Sequence, residues 1–294
     1  MKLRHFFLSG IFLIQCFSIS AQPDMKIHEA KAPLYRDPIF DGAADPVMVW
    51  NREEKSWWML YTQRRANVET PGVSYCYGND IGIASSKDNG QSWAYRGALD
   101  LNIEKGKNTF WAPDIVYDKG TYHMFVVYIQ GTYTNWGGDA KLAHYTSKNL
   151  WDWKFLNYLK TPKSNIIDAT LMQMPDKKWH IWYKGEGSVT MTGESTDLLN
   201  WTFKDQPAIG KPEHEGPKAF IFAGHYWMLT DEWHGMRVHP ERNTHGDAPE
   251  DSRGNIPYGL RRSSIQVAEL IYKDGTLTCD RDQPFDFWLP NFKN

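Results

Sequence analysis

A basic excess is missing from this chain, and so are abundant cysteine and any long helical period. Lysine and arginine number 33 against 35 aspartate and glutamate, a formal net charge of −2. That balance excludes the dense positive surface a nucleic-acid partner requires. Only three cysteines occur. Cys16 lies in a leader-like N-terminus, which leaves Cys76 and Cys279, too few for a disulfide framework. Both are expected as free, buried thiols, and no CxxC or His/Cys spacing suggests zinc. No stretch repeats its apolar residues every 3.6 positions for long, so helices should be few. Beyond the N-terminus no apolar run is long enough to span a membrane.

Aromatic side chains, by contrast, are plentiful at 15% of residues, with 14 tryptophans. That is more rings than a core of this size needs. Aromatic-rich all-β proteins and carbohydrate-binding clefts both fit, because sugar rings stack their C–H faces on Trp and Tyr. The N-terminus carries Lys2 and Arg4, then an apolar run, then small residues ending at Ala21. This pattern predicts a secretory signal peptide over residues 1–21 and a secreted or periplasmic product. A lipid anchor through Cys16 is disfavoured, since Gln15 fits a lipobox poorly.

Three segments align on one another: "SSKDNGQSW", "TSKNLWDW" and "ESTDLLNW". Each has Ser, then Asp or Asn two residues on, then Trp closing a short turn: Ser86/Asp88/Trp93, Ser147/Asn149/Trp153 and Ser195/Asp197/Trp201. Asp and Asn suit the turn because their side chains bond nearby backbone, and Trp begins the next strand. About four short strands per repeat predict an all-β chain folded as a β-propeller. Each repeat's first strand opens near an acid: Asp45, Asp114, Asp168 and Glu215. Equivalent positions on innermost strands would bring all four to one mouth of the central channel, where they would repel one another. Two carboxyl groups flanking a sugar bond, one protonated and one ionised, are what glycoside hydrolysis requires. Acids that merely bond backbone N–H groups at blade junctions are the structural alternative.

The ordered set "ADP", "WAPD", "IDA" and "EGP", spanning about Asp37 to Trp233, resembles the five-bladed propeller glycoside hydrolases of family 43. The resemblance implies a secreted, inverting glycosidase acting on plant or algal glycans, such as arabinose- or xylose-containing chains. On it, Asp45 is the general base, Glu215 the general acid, and Asp168 the group that raises the acid's pKa. Asp114 would line the pocket. Ala169 stands where many relatives carry Pro, which removes a rigid turn but no chemistry. Trp111, Trp136, Trp233 and Tyr77 are candidate sugar platforms, each equally well placed as core. Lys218, Arg64 and Arg65 are expected to face water rather than an acidic sugar. No cofactor is implied, although some relatives hold a central Ca²⁺ through carbonyls and His, for which His214, His234 and His239 are the candidates. The expected partner is an oligo- or polysaccharide, bound by a monomer.

The strand count falls short after this point. Residues 22–294 read as one propeller catalytic domain, yet the blade that starts at Glu215 has "HGMRV" as one more strand at best. A blade's worth of strands is missing between Val238 and His239. Lys273-Asp274-Gly275 marks a hairpin further on. The shortened fourth and fifth blades predict an open ring, closed by the N-terminal segment, and keep a non-catalytic glycan-binding propeller as an alternative. A sialidase-like enzyme is the other alternative, since the Ser-x-Asp-x-Gly-x-Ser-Trp spacing is an Asp box. Its arginines, Arg64/Arg65 and Arg261/Arg262, fall in adjacent pairs rather than one per blade.

Overall fold

The computed structural model describes residues 28–232, apart from residue 102, and residues 254–292. After a short β1 (His28–Glu29), three four-stranded antiparallel meanders follow in chain order. The first comprises β2 (Ala43–Asn51), β3 (Ser56–Gln63), β4 (Ile81–Ser86) and β5 (Ala94–Ala98). The second comprises β6 (Asn108–Asp118), β7 (Thr121–Gln130), β8 (Lys141–Ser147) and β9 (Lys154–Tyr158). The third comprises β10 (Ile167–Gln173), β11 (Trp179–Gly185), β12 (Val189–Ser195) and β13 (Thr202–Phe203). A two-stranded sheet, β14 (His214–Phe222) with β15 (His225–Glu232), continues the series. The described helices are a single 3₁₀ turn, Ser74–Cys76, and a four-residue α-turn, Tyr258–Arg261. None is long and apolar enough to cross a membrane.

The sheets stack face to face, which explains why the middle strands β3 and β7 are buried almost throughout rather than on alternate residues. Every residue of β3, "SWWMLYTQ", is buried. Successive residues of β7 face opposite neighbours, as the two-residue period of a strand demands. Met124, Val126 and Tyr128 pack with Trp58, Leu60 and Phe110 of the first and second sheets. Phe125, Val127 and Ile129 pack with Leu171, Ile181 and Tyr183 of the third. The innermost strands β2, β6, β10 and β14 lie side by side in that order, so the residues that open them share one central region.

The three Ser/Asp/Trp repeats are turns on the outer ends of the blades. In each, the Ser hydroxyl donates to the Asp or Asn side chain two residues on, at 2.7, 3.1 and 3.0 Å. The closing Trp donates its indole N–H to a turn carbonyl, that of Gly90, Leu150 or Leu198. Backbone N–H groups of Leu199 and Asn200 donate to Asp197 and hold its carboxyl well below the usual range. These groups are therefore structural, and the Asp-box spacing carries no sialidase chemistry.

The hairpin expected at Lys273-Asp274-Gly275 forms between β16 (Leu270–Lys273) and β17 (Thr276–Cys279). Its two turn residues, Asp274 (φ 49°) and Gly275 (φ 81°), both adopt the left-handed conformation of a type I′ turn. Cys76 is buried and Cys279 is exposed, both free, so the expectation of burial fails for Cys279, which ends a hairpin edge with little over it. The predicted break between Val238 and His239 and the "HGMRV" strand lie outside the described residues, as does the signal segment.

Closure involves both ends of the described chain. β1 pairs with β18 (Asp286–Phe287), and Tyr35 and Gly42 bridge to Ile265 and Ser263. Beyond β18 the chain straps onto the first sheet. Trp57 donates its indole N–H to the Pro290 carbonyl at 2.9 Å, Asn89 exchanges hydrogen bonds with Leu289, and Phe292 sits against Trp50 and Trp57. The N-terminal segment thus pairs with the C-terminal part of the described chain. Deleting residues 285–294 should lower the melting temperature by about 10 °C, as expected for loss of roughly 3–5 kcal/mol in a domain of this size. A calorimetric scan with no shift would remove the strap from the account.

Candidate active site

Each innermost strand carries one β-bulge near its start, and these bulges build the site. Ladder pairing breaks between Ala44 and Val47, Trp111 and Asp114, Ile167 and Thr170, and Glu215 and Lys218. The first skipped residue has positive φ in every case: Asp45 (50°), Ala112 (45°), Asp168 (57°) and Gly216 (60°). Asp tolerates that conformation better than most side chains, and Gly adopts it freely. The second skipped residue is Pro46, Pro113, Ala169 or Pro217.

This register corrects the expectation that the four acids occupy equivalent points. Only Asp45 and Asp168 are equivalent. Glu215 precedes the left-handed position by one residue and Asp114 follows it by two. A bulge re-aims each side chain within it, so neighbouring positions reach different surroundings. Asp114 is buried: its Oδ2 accepts from the Leu171 N–H at 2.7 Å and its Oδ1 from Lys218 Nζ at 2.7 Å. It ties β6 to β10 and β14, each of its oxygens accepting one hydrogen bond. Asp114→Ala should strand a buried N–H and unpair Lys218, costing about 2–4 kcal/mol. A urea-unfolding change under about 0.5 kcal/mol would dismiss it as a strut.

The other three acids do come together. Asp168 accepts a hydrogen bond from the Gly216 N–H at 3.1 Å. Burial pushes its carboxyl up to about 7, and the charges of Asp45 and Glu215 push the same way. Asp45 is 35% exposed and sits against Arg64, whose Nη2 lies 3.4 and 3.5 Å from its two oxygens. Arg64 thus places a fixed positive charge on Asp45. Gly42 makes room for this arrangement, because a Cβ there would meet the Arg64 carbonyl at 2.0 Å. Glu215 is half-buried at the mouth of β14.

The basic residues are more engaged than expected. Arg64 meets Asp45, and Arg65 donates to the Tyr77 and Ser74 carbonyls and fixes the 3₁₀ turn. Lys218 is half-exposed but paired with Asp114. None of the three simply faces water, because carbonyl and carboxylate groups surround them at the blade junctions.

The aromatic candidates divide by burial. Tyr77 is fully buried, with its hydroxyl bonded to the Gly137 carbonyl and N–H, so it is core and cannot serve as a platform. Trp111 is half-buried and donates its indole N–H to the Cys76 carbonyl at 2.6 Å. It occupies in β6 the bulge position that Glu215 has in β14, and its ring packs on Tyr77 at 4.9 Å. Trp136 is 48% exposed and lies 6.1 Å from Trp111 between ring centroids. Tyr133, which sequence reasoning passed over, is 38% exposed and packs on Tyr77 at 5.4 Å. Its signal was its place in the same loop as Trp136. Trp233 lies outside the described residues.

Calcium ligation through His214 does not fit. His214 is buried with Nε2 2.8 Å from Thr190 Oγ1 and Nδ1 2.8 Å from the Pro212 carbonyl, so neither nitrogen is available. His234 and His239 lie outside the described residues.

Stacked antiparallel meanders around a common centre, with three carboxyl groups converging on their innermost strands, define a β-propeller-like architecture with an acidic mouth. The fold is that of known glycoside hydrolases. It superposes on a thermostable family-43 glycoside hydrolase with a TM-score of 0.55, at 18% identity over 88% of this chain and 100% of the other. A family-117 glycoside hydrolase from the marine bacterium Zobellia galactanivorans gives 0.53, at 17% identity over 70% and 68%. A family-43 β-1,3-galactosidase solved with galactodeoxynojirimycin gives 0.53, at 19% identity over 70% and 74%. The chain matches no protein-family model and no curated protein sequence.

Proposed function

We propose that this protein is an inverting glycoside hydrolase acting on an arabinose-, xylose- or galactose-containing glycan, built as a five-bladed propeller. In that arrangement the segments from residue 254 onward, with β1, take the fifth place. The observation that carries the reading is the raised carboxyl of Asp168 between Asp45 and Glu215. A carboxyl that keeps its proton towards neutrality, with two further acids beside it, supplies the mixture of protonated and ionised groups that glycoside hydrolysis requires.

Asp45, held beside Arg64, takes a proton from a water molecule as the water oxygen attacks the anomeric carbon. Glu215 gives its proton to the glycosidic oxygen as the carbon–oxygen bond breaks. Asp168, which accepts the Gly216 N–H beside Glu215, holds the opening of β14 in place and keeps its own proton towards neutrality. Trp111 and the exposed Trp136, 6.1 Å apart, offer apolar faces for sugar rings.

The test is a panel of aryl arabinofuranosides, xylosides and galactosides followed by proton NMR of the first product. Inversion of the anomeric centre is expected, with Asp45→Asn reducing turnover about 10²–10⁴-fold. Retention would overturn the role of Asp45, because a retaining enzyme needs a nucleophile there rather than a base. Glycan binding without any product would select the non-catalytic alternative.

A further inference from the structure

A cavity of about 540 Å³ lies away from the acids, between the N-terminal segment and the outer end of the first sheet. It is lined by Tyr35, Trp93 and Tyr95 together with Lys31, Arg36 and Ser92. Tyr95 belongs to β5, whereas Asp45 belongs to β2 of the same sheet. Three strand spacings separate them, about 14 Å laterally. This cavity is therefore not an extension of the acidic mouth.

Its size falls within the range of small-molecule sites, which combine apolar walls with a few placed polar groups. Its charge is one-sided: Lys31 and Arg36 line it and no acid does. Asp37, on the same segment, is buried and accepts from the Ile39 and Phe40 N–H groups, the Tyr61 hydroxyl and the Gln63 amide. Arg36 shares Asp41 with Arg262 and Tyr258 and remains 44% exposed. Lys31 is exposed. The Trp93 N–H is committed to the Gly90 carbonyl at 3.0 Å, so what the indole offers a ligand is its ring rather than a donor. Aromatic faces suit sugar rings, and paired cations suit a carboxylate or a sulfate ester.

We propose that this cavity is an auxiliary binding site for an anionic saccharide, bearing uronate or sulfate groups, which holds a glycan chain apart from the reacting bond. The proposal does not rest on hydrolysis at the acidic mouth. Calorimetry on the full chain carrying Glu215→Gln, so that no probe is consumed, would compare a hexagalacturonide, a sulfated galactan hexasaccharide and neutral xylohexaose. At least one anionic probe should bind, weaken about fivefold with Lys31→Glu, and weaken again in about 0.5 M salt. Hydrogen exchange should show protection over 30–38 and 92–95. If only one anionic probe binds, its acid group names the ligand; if both bind, charge alone is read. Equal protection of 30–38 and 92–95 by the neutral chain, indifference to Lys31→Glu, or protection confined to the acidic mouth would overturn the proposal. Lys31 is chosen because it is on the surface, whereas Trp93→Ala also removes a bond of its turn. Failure of hydrolysis in the aryl-glycoside panel would leave this binding result untouched.

Discussion

Glu215→Gln is expected to separate substrates by their leaving groups. The substitution keeps the size of the side chain and removes the proton it would donate. An alkyl or sugar leaving group needs that proton, so turnover of natural linkages should fall about 10²–10⁴-fold. A dinitrophenyl glycoside departs without help and should lose less than about tenfold. Comparing kcat/KM for the two substrates in both proteins is the decisive measurement. Equal losses would mean that Glu215 binds or positions the sugar, and the donor would have to be sought elsewhere. The prediction is sharp because Glu215 sits one residue before the left-handed position of its bulge, where no other blade has an acid. Asp45 and Asp168 share a different position, so their own amide variants should not show the same dependence on leaving group.

Asp168→Asn should stabilise the protein above neutral pH while reducing its activity. The folded-state carboxyl titrates near 7, whereas an unfolded aspartate titrates near its ordinary value of about 3.9. Below about pH 4 the group is protonated in both states and costs nothing. As pH rises towards 7 the unfolded chain releases its proton and the folded chain does not, so stability drains away across that window. At pH 8 the accumulated penalty is about 2–4 kcal/mol. Asn removes the charge, tolerates positive φ, and can still accept the Gly216 N–H. Urea unfolding should therefore show the variant ahead of the parent at pH 8 and level with it at pH 4. A stability gap that does not change with pH would mean that Asp168 carries no such strain. Activity should fall in the same variant, because the acidic mouth loses the carboxyl that holds a proton towards neutrality.

Much of the architecture was legible in the residues, and the reasons are local. The Ser/Asp/Trp turns announce themselves because a hydroxyl bonded to an Asp or Asn side chain, and an indole bonded to a turn carbonyl, fall at fixed spacing within a single turn. Asp274-Gly275 is equally readable, since few pairs accept two successive left-handed residues. The register of the acids was not readable in this way. "DP", "APD", "DA" and "GP" look alike as strand openings, but each bulge hides two residues from the ladder, and the sequence does not say which two. Alignment by acid placed Asp114 with the others, whereas alignment by the left-handed residue separates it. Burial was similarly out of reach: Tyr77 and Trp136 both lie in the loop between the second and third strands of their sheets, and only packing makes one core and the other surface. Arg64 and Asp45 meet because β3 ends beside the β2 bulge, a pairing 19 residues apart that no short motif records.

The strap on the first sheet has a consequence for the order of folding. Trp57 waits for a partner 233 residues further along. At ribosomal speeds of about 5–20 residues per second, that partner is synthesised roughly 10–50 s later. The first sheet must therefore persist with Trp50 and Trp57 uncovered for as long as the other sheets take to appear. Contacts of such long range also close slowly once the chain is complete. A nascent chain stopped before residue 285 should accordingly present a tryptophan-rich face to whatever binds exposed apolar surface in the cell.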